Sequence, residues 1–423
     1  MSTDSLIKIP TVAGVAHGVV AAEADKRLRV LFLSRSYPNN VLNLLGLWVQ
    51  GLVRRCAEFS ECKVISPVPY CPPIPGIREE YSRFRRIILH ASEHGVEVFH
   101  PRLLVPPGYR LHGMEDLPYY FAAKRVAYAI RKSFPFDIIH AHFTYPDGTV
   151  ATKLGQQFGV PVIITEHAPW RPWMEDYPSV LEKARRAFNA CTFYVAVSAS
   201  VRQDTSYFVT NSSKIRVIPC GVDGSIFTLR NAALTPKKQI LFAGAIRHTK
   251  GFDVLLRAMR LLIDRGRREK LVVVGDSFYK QYQLEYARVR QLAVDLGLQE
   301  EVEFIGGKTQ PQLAGYMQES AVLVLPSRKE SLGMVLVEAL ACGTPVVATR
   351  CGGPGDIVTD QVGALVPPED PEALAGAIER VIDRRDQYQP AALRAYALEK
   401  FSWQRIGEQY LDLYCRAVAH YKR

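Results

Sequence analysis

The chain has 423 residues, too many for one ordinary core, and its 48% hydrophobic content supports two sizeable ones. Its 53 basic against 42 acidic residues leave a net charge of +11, which suits phosphorylated or other anionic partners; no nucleic-acid motif accompanies it. No apolar run reaches about 18 residues, so no transmembrane helix is expected, and the eight scattered cysteines, without a Cys-x-x-Cys pair, speak for free thiols in a reducing cytoplasm rather than a metal site.

In chain order, residues 1–26 read as a loose extension, with a signal peptide as the second reading. A strand at 29–33 (RVLFL) ends in a turn-rich loop over 34–40, and a helix follows from near Leu44. A strand is expected at 64–67, and the prolines of 71–76 (CPPIPG) exclude regular structure there. An amphipathic helix spans 119–133, a buried strand 137–140 and a helix 149–158, followed by strands at 160–165 and 194–197. Gly, Asp, Asn and Pro cluster in a linker over 221–238. A second series of strands lies at 239–242, 271–274, 302–304, 322–325 and 345–348. Strands alternating with helices imply an α/β protein with parallel, doubly wound sheets. The predicted units are 27–220, 239–400 and a terminal helix in 401–423, with a cleft fed by loops from the C-terminal ends of both sheets.

The segment 326–349, PSRKESLGMVLVEALACGTPVVAT, carries the most chemistry. Leu332, Val335, Leu336, Ala339 and Leu340 recur at helical spacing between two buried strands. The first amides of that helix, around Leu332 to Val335, lack intrahelical partners and sit at the positive end of the dipole. Gly333 lets an anion approach the backbone. Glu330 precedes the helix, and Glu338 lies about 9 Å along its axis from the helix start at Leu332, at ~1.5 Å per residue. Two acceptor-only groups flanking an anion site suit a nucleotide sugar. Spacing alone would equally suit two solvated carboxylates.

The surrounding residues add a resemblance. Glu330 and Glu338 resemble the Glu-x7-Glu signature of the retaining glycosyltransferases of family 4, which have the GT-B fold of two Rossmann-like domains. Segments 244–258 (GAIRHTKGFDVLLRA), 302–306 (VEFIG), 351–358 (CGGPGDIV), 215–227 (IRVIPCGVDGSIF) and 165–167 (TEH) match the family in order. The resemblance covers roughly residues 28–410 and implies that the last helix crosses back to the first domain.

On that resemblance Glu330 holds the donor sugar hydroxyls and Glu338 the nucleotide ribose. Lys250, with Arg247 and the amides of Ser331, Leu332, Gly333, Met334 and Val335, stabilises the departing diphosphate. Gly244 and Gly306 complete the donor side. The family's usual arginine after Gly244 is replaced here by Ala245. His167 matches a position beside the donor sugar and acceptor, and its neighbour Glu166 points the other way along the strand. His142 and Gly46 are acceptor-side candidates, though the usual Gly-Gly pair around Gly46 is missing. Cys220 and Cys342 read as packing residues. No metal or other cofactor is expected. The implied reaction moves a hexose from a nucleoside diphosphate sugar, with uridine preferred, to an acceptor hydroxyl with retention. Segments 81–90 and 119–134 mix cations with aromatic and aliphatic residues, as a helix on an anionic membrane does; a solvated basic face explains them equally. They favour a carbohydrate or lipid-linked acceptor of surface polysaccharide or glycolipid synthesis, at the inner face of the cytoplasmic membrane. The alternatives are a GT-B epimerase, a soluble-acceptor synthase or a non-catalytic binding relative.

Overall fold

The computed structural model describes residues 27–70, 72, 82–104, 113–168, 177–206, 209, 211–229, 238–275 and 280–422. The extension at 1–26, nearly all of the proline loop at 71–76 and residues 230–237 of the linker lie outside the described residues.

The first half supplies strands β1 (Arg29–Leu33), β2 (Glu61–Ile65), β3 (Val68–Pro69), β4 (His90–Glu93), β5 (Val96–Phe99), β6 (Arg102–Leu103), β7 (Ile138–His142), β8 (Val162–Glu166), β9 (Phe193–Ala196) and β10 (Ile215–Val217). Eight of them form one sheet in the order β10-β9-β8-β7-β1-β2-β5-β4, while β3 and β6 pair separately. Neighbours in that sheet run parallel except β4 against β5. The central strands are apolar runs because helices cover both faces; Val30 to Leu33 and Ile138 to Ala141 are fully buried. The strand expected at 64–67 is β2, which starts three residues earlier and ends before Pro67. The helix expected at 119–133 is Asp116–Ser133. The described residues 82–90 form no long membrane-lying helix: Arg83–Arg86 make one 3-10 turn, and β4 begins at His90.

The second half forms a six-stranded parallel sheet from β11 (Gln239–Ala243), β12 (Lys270–Val274), β13 (Val302–Gly306), β14 (Val322–Leu325), β15 (Val346–Thr349) and β16 (Gly363–Val366). Its order is β13-β12-β11-β14-β15-β16. Chain direction across the sheet therefore reverses between β11 and β14, as it does between β1 and β7 in the first sheet. Loops leaving such a pair diverge and open a crevice at the C-terminal edge.

The last helix, Trp403–Tyr421, returns to the first half. It buries Ile406, Tyr410, Leu413, Tyr414 and Ala417 against Val49, Leu52, Val53 and Cys56 of the helix Leu47–Cys56. The two chain crossings run side by side: the Val222 amide donates to the Phe401 carbonyl at 2.7 Å, and Val222 bridges to Ser402. One apolar cluster is continuous between the sheets, from Leu31 and Ile139 to Leu323 and Leu336.

Candidate active site

The crevice of the second sheet is built by the loops after β11 and β14. After Ala243 the chain passes Gly244, whose amide donates to the Val274 carbonyl at 2.9 Å, and reaches a short turn at His248–Lys250. Arg247, partly buried, enters that turn, and its carbonyl accepts from the Lys250 amide at 2.8 Å. Gly251 then lets the loop touch its neighbour. It has φ 61°, and a Cβ there would sit 2.0 Å from the Pro326 carbonyl oxygen. This close approach brings Lys250 to the segment after β14, where its ammonium forms an ion pair with the Glu330 carboxylate. Both side chains are largely buried, and the Ser327 hydroxyl lies 3.4 Å from the same carboxylate oxygen.

Glu330 is fixed through its backbone. It bridges to Gly352, and its carbonyl accepts from the Gly353 amide at 2.9 Å. Ser331 and Leu332 make the bend that follows, and Gly333 is the left-handed residue preceding the helix Met334–Ala341. The Leu336 amide bonds the Gly333 carbonyl at 2.9 Å, so the amides of Gly333, Met334 and Val335 lie at the positive end of the helix. Glu338 sits on the second turn, partly buried, and burial pushes its carboxyl up to about 7. Gly306 ends β13 behind this loop, its carbonyl accepting from the Gly275 amide at 3.1 Å.

The first sheet contributes a column of imidazoles. His140 and His142 lie on one face of β7 by the two-residue period of a strand. His167 follows β8, and its Nε2 lies 2.8 Å from His142 Nδ1. The rings of His140 and His142 stack at 4.6 Å and those of His142 and His167 at 5.1 Å. Burial lowers His140 and His167 to about 3 and His142 well below its ordinary value, so all three are neutral at physiological pH. His142 is fully buried, which corrects the expectation that it faces an acceptor. His167 is partly buried, with Cys220 Sγ 3.5 Å from its Nδ1, so both ring nitrogens contact protein groups. Trp48 lies 6.2 Å from its ring. Trp48 is placed by Gly46, whose positive φ of 73° turns the chain into the helix Leu47–Cys56; a Cβ there would fall 1.9 Å from the Ser36 carbonyl. Gly46 is thus packed against backbone.

Two contacts hold the halves together beside Glu330. The Ala199 amide, at the start of helix Ala199–Ser206, donates to the Asp356 carboxylate at 2.6 Å, and Lys329 lies 3.9 Å from Asp204.

Comparison with known proteins places this arrangement. The profile of glycosyl transferases group 1 matches residues 228–399, and that of glycosyltransferase family 4 matches residues 84–225. The D-inositol 3-phosphate glycosyltransferase of Acidothermus cellulolyticus is 31% identical over 334 residues, 72% of this chain and 73% of that protein. The chain belongs to glycosyltransferase family 4. The D-inositol 3-phosphate glycosyltransferase of Mycolicibacterium smegmatis is 31% identical over 320 residues, 68% of this chain and 69% of that one. Among solved structures, sucrose-phosphate synthase from Thermosynechococcus elongatus superposes with a TM-score of 0.77 at 21% identity, over 93% of this chain and 100% of that one. HepE of Anabaena, solved in complex with UDP-glucose, superposes with a TM-score of 0.70 at 18% identity, over 92% and 99%. Both likenesses are to GT-B folds.

Sequence reading missed three features of this glycosyltransferase. Glu166 is a buried organiser: one carboxylate oxygen accepts from the Thr144 amide at 3.0 Å and its hydroxyl at 2.7 Å, and the other from the His167 and Ala168 amides at 3.1 Å. Asp147 is a second: it accepts from the Arg35 amide at 2.6 Å and the Tyr119 hydroxyl at 3.0 Å, and burial raises it to about 7. It ties the loop after β1 to the loop after β7 at the switch point. His140 was passed over, although His-x-His in a strand already places both rings on one face.

Proposed function

We propose that this glycosyltransferase moves a hexose from a UDP-sugar to an acceptor hydroxyl with retention of configuration. The observation that carries the reading is the meeting of Lys250, Glu330 and the start of helix Met334–Ala341 at one switch point. A nucleoside diphosphate laid there meets an ammonium and helix amides along its phosphates, while Glu338 faces its ribose. In the structure Lys250 and Glu330 form an ion pair that neutralises both. Donor binding exchanges these partners: Lys250 turns to the diphosphate, with Arg247 beside it, and Glu330 accepts from the sugar hydroxyls. As the glycosidic bond breaks, negative charge grows on the departing phosphate, and a preorganised cation and amides there lower the barrier. The acceptor hydroxyl attacks from the same face and gives its proton to the leaving phosphate oxygen. The UDP-glucose complex of HepE supports the choice of donor.

On helix Asp116–Ser133 the outward stripe Leu117, Phe121, Arg125, Tyr128 and Lys132 recurs every turn, with Phe121 62% exposed. Apolar rings between cations suit an anionic bilayer surface and support a lipid-linked acceptor. The names of the sequence relatives favour a second reading, a small phosphorylated polyol as acceptor.

The test is turnover of a panel of nucleotide sugars by wild type, Glu330→Ala and Lys250→Ala, with inositol phosphate or lipid-linked acceptor in anionic vesicles. One donor turned over by wild type, and lost by about 10²-fold or more in both variants, is expected. Full activity in both variants, or no donor turned over, refutes the assignment. Whichever acceptor arm supports transfer selects between the two acceptors.

A further inference from the structure

Arg328 lies two residues before Glu330, where a cation invites assignment to a phosphate ligand. Its guanidinium has none left to offer. Nε donates to the Glu369 carboxylate; Nη1 donates to Asp253 at 2.7 Å and to the His248 carbonyl at 2.8 Å; Nη2 donates to Asp253 at 2.9 Å and to Glu369 at 3.0 Å. A guanidinium carries five N–H groups, and each has an acceptor here. The Arg328 backbone amide adds a bond to the Thr249 carbonyl at 2.9 Å. Arg328 and Asp253 are 15% and 13% exposed, so solvent weakens the pair little. Glu369 takes part from a left-handed backbone, φ 61°, a conformation that a non-glycine residue keeps only where its surroundings hold it.

The acceptors bracket one residue. His248 and Thr249 directly precede Lys250, and Asp253 opens the helix Phe252–Asp264 just after it. Burial by itself would raise the Asp253 carboxyl, and the Arg328 bonds more than offset this, leaving it below its ordinary value. The turn is therefore pinned to the Glu330 segment on both sides of Lys250, while the Lys250 ammonium pairs, among the described residues, with Glu330.

We propose that Arg328 is a positioning residue acting through Lys250: it holds the turn's backbone still while the ammonium exchanges Glu330 for the donor diphosphate. The proposal rests on the donor-side reading of Lys250. Displacing a preorganised cation by about 1 Å costs on the order of 10²-fold in rate.

The experiment is a double-mutant cycle with UDP-glucose, or whichever donor the panel selects, combining Arg328→Met with Lys250→Ala. Arg328→Met is expected to lower kcat by about 10²-fold with a smaller rise in donor KM. In the Lys250→Ala background it is expected to change kcat less than about twofold, because its effect passes through the missing ammonium. Arg328→Lys, which cannot reach all three partner groups of the guanidinium, is expected to fall between. Losses that multiply across the cycle would mean a merely structural role and overturn the proposal. So would an unchanged kcat in Arg328→Met while Lys250→Ala is impaired. Full turnover in Lys250→Ala would instead overturn the assignment of Lys250 itself. Should Arg328→Met fail to fold, Asp253→Asn in the same cycle reads the same coupling.

Discussion

Glu338 gives the protein a pH dependence that is worked from its burial. Its carboxyl is raised from 4.5 to about 7 by desolvation. On the proposed donor reading a ribose hydroxyl donates to the Glu338 carboxylate and gains far less from the protonated acid. Donor binding therefore favours ionisation, so the bound pKa lies below the free one. Affinity is full above about 7 and is lost as pH falls through that value. If the bound pKa lies well below 6, the ionised fraction of the free site drops from about nine-tenths at pH 8 to about one-tenth at pH 6, and affinity falls about tenfold. At pH 7 binding releases about half a proton.

Calorimetry with UDP-glucose at pH 6, 7 and 8, in buffers of different ionisation heat, reads both quantities. The donor's diphosphate is a diester and does not titrate in this window. Nor do His140 and His167, which lie at about 3. Asp147 is also raised to about 7, but its donors are Arg35 and Tyr119, and it remains in Glu338→Gln. That variant should bind more weakly at pH 8 and lose the pH dependence. A wild-type affinity flat from pH 6 to 8, or the same slope in Glu338→Gln, would refute the reasoning.

Two further outcomes follow from close contacts. Gly251→Ala places a methyl 2.0 Å from the Pro326 carbonyl at φ 61° and is expected to cost about 1–3 kcal/mol of stability and weaken donor binding. A thermal melt with and without UDP-glucose measures both, and an unchanged Tm would contradict the packing of that loop. Tyr414→Phe removes the hydroxyl 2.8 Å from His140 Nδ1 and leaves a buried ring nitrogen unpaired. A loss of about 1–3 kcal/mol is expected in urea unfolding, and a variant as stable as wild type would show that the last helix does not depend on that bond.

The repeating strands and helices were legible in the sequence because each is set by local apolar periodicity. β1 and β14 fall where the pattern put them, and helix Thr149–Phe158 matches to the residue. The family was legible for a related reason: Glu330, Gly333, Glu338 and the Lys250-Gly251 turn keep fixed spacings along the chain. Segment 81–90 misled because its mixture of cations and apolar residues says nothing of helix length, and edge pairing with β5 draws His90 into a strand.

The partnerships were decided only by the tertiary structure. Lys250 and Glu330 are eighty residues apart and meet because β11 and β14 flank the point where sheet order reverses. His142 looked like a cleft residue at a strand end, but the rings of Phe32, His140 and His167 pack around it and leave it fully buried. Nothing local to Arg328 announces its partners: the fold brings Asp253, Glu369 and the His248 carbonyl around it. Chain spacing fixes which local units form; burial and charge compensation depend on what the rest of the chain folds against them, and no local pattern encodes that.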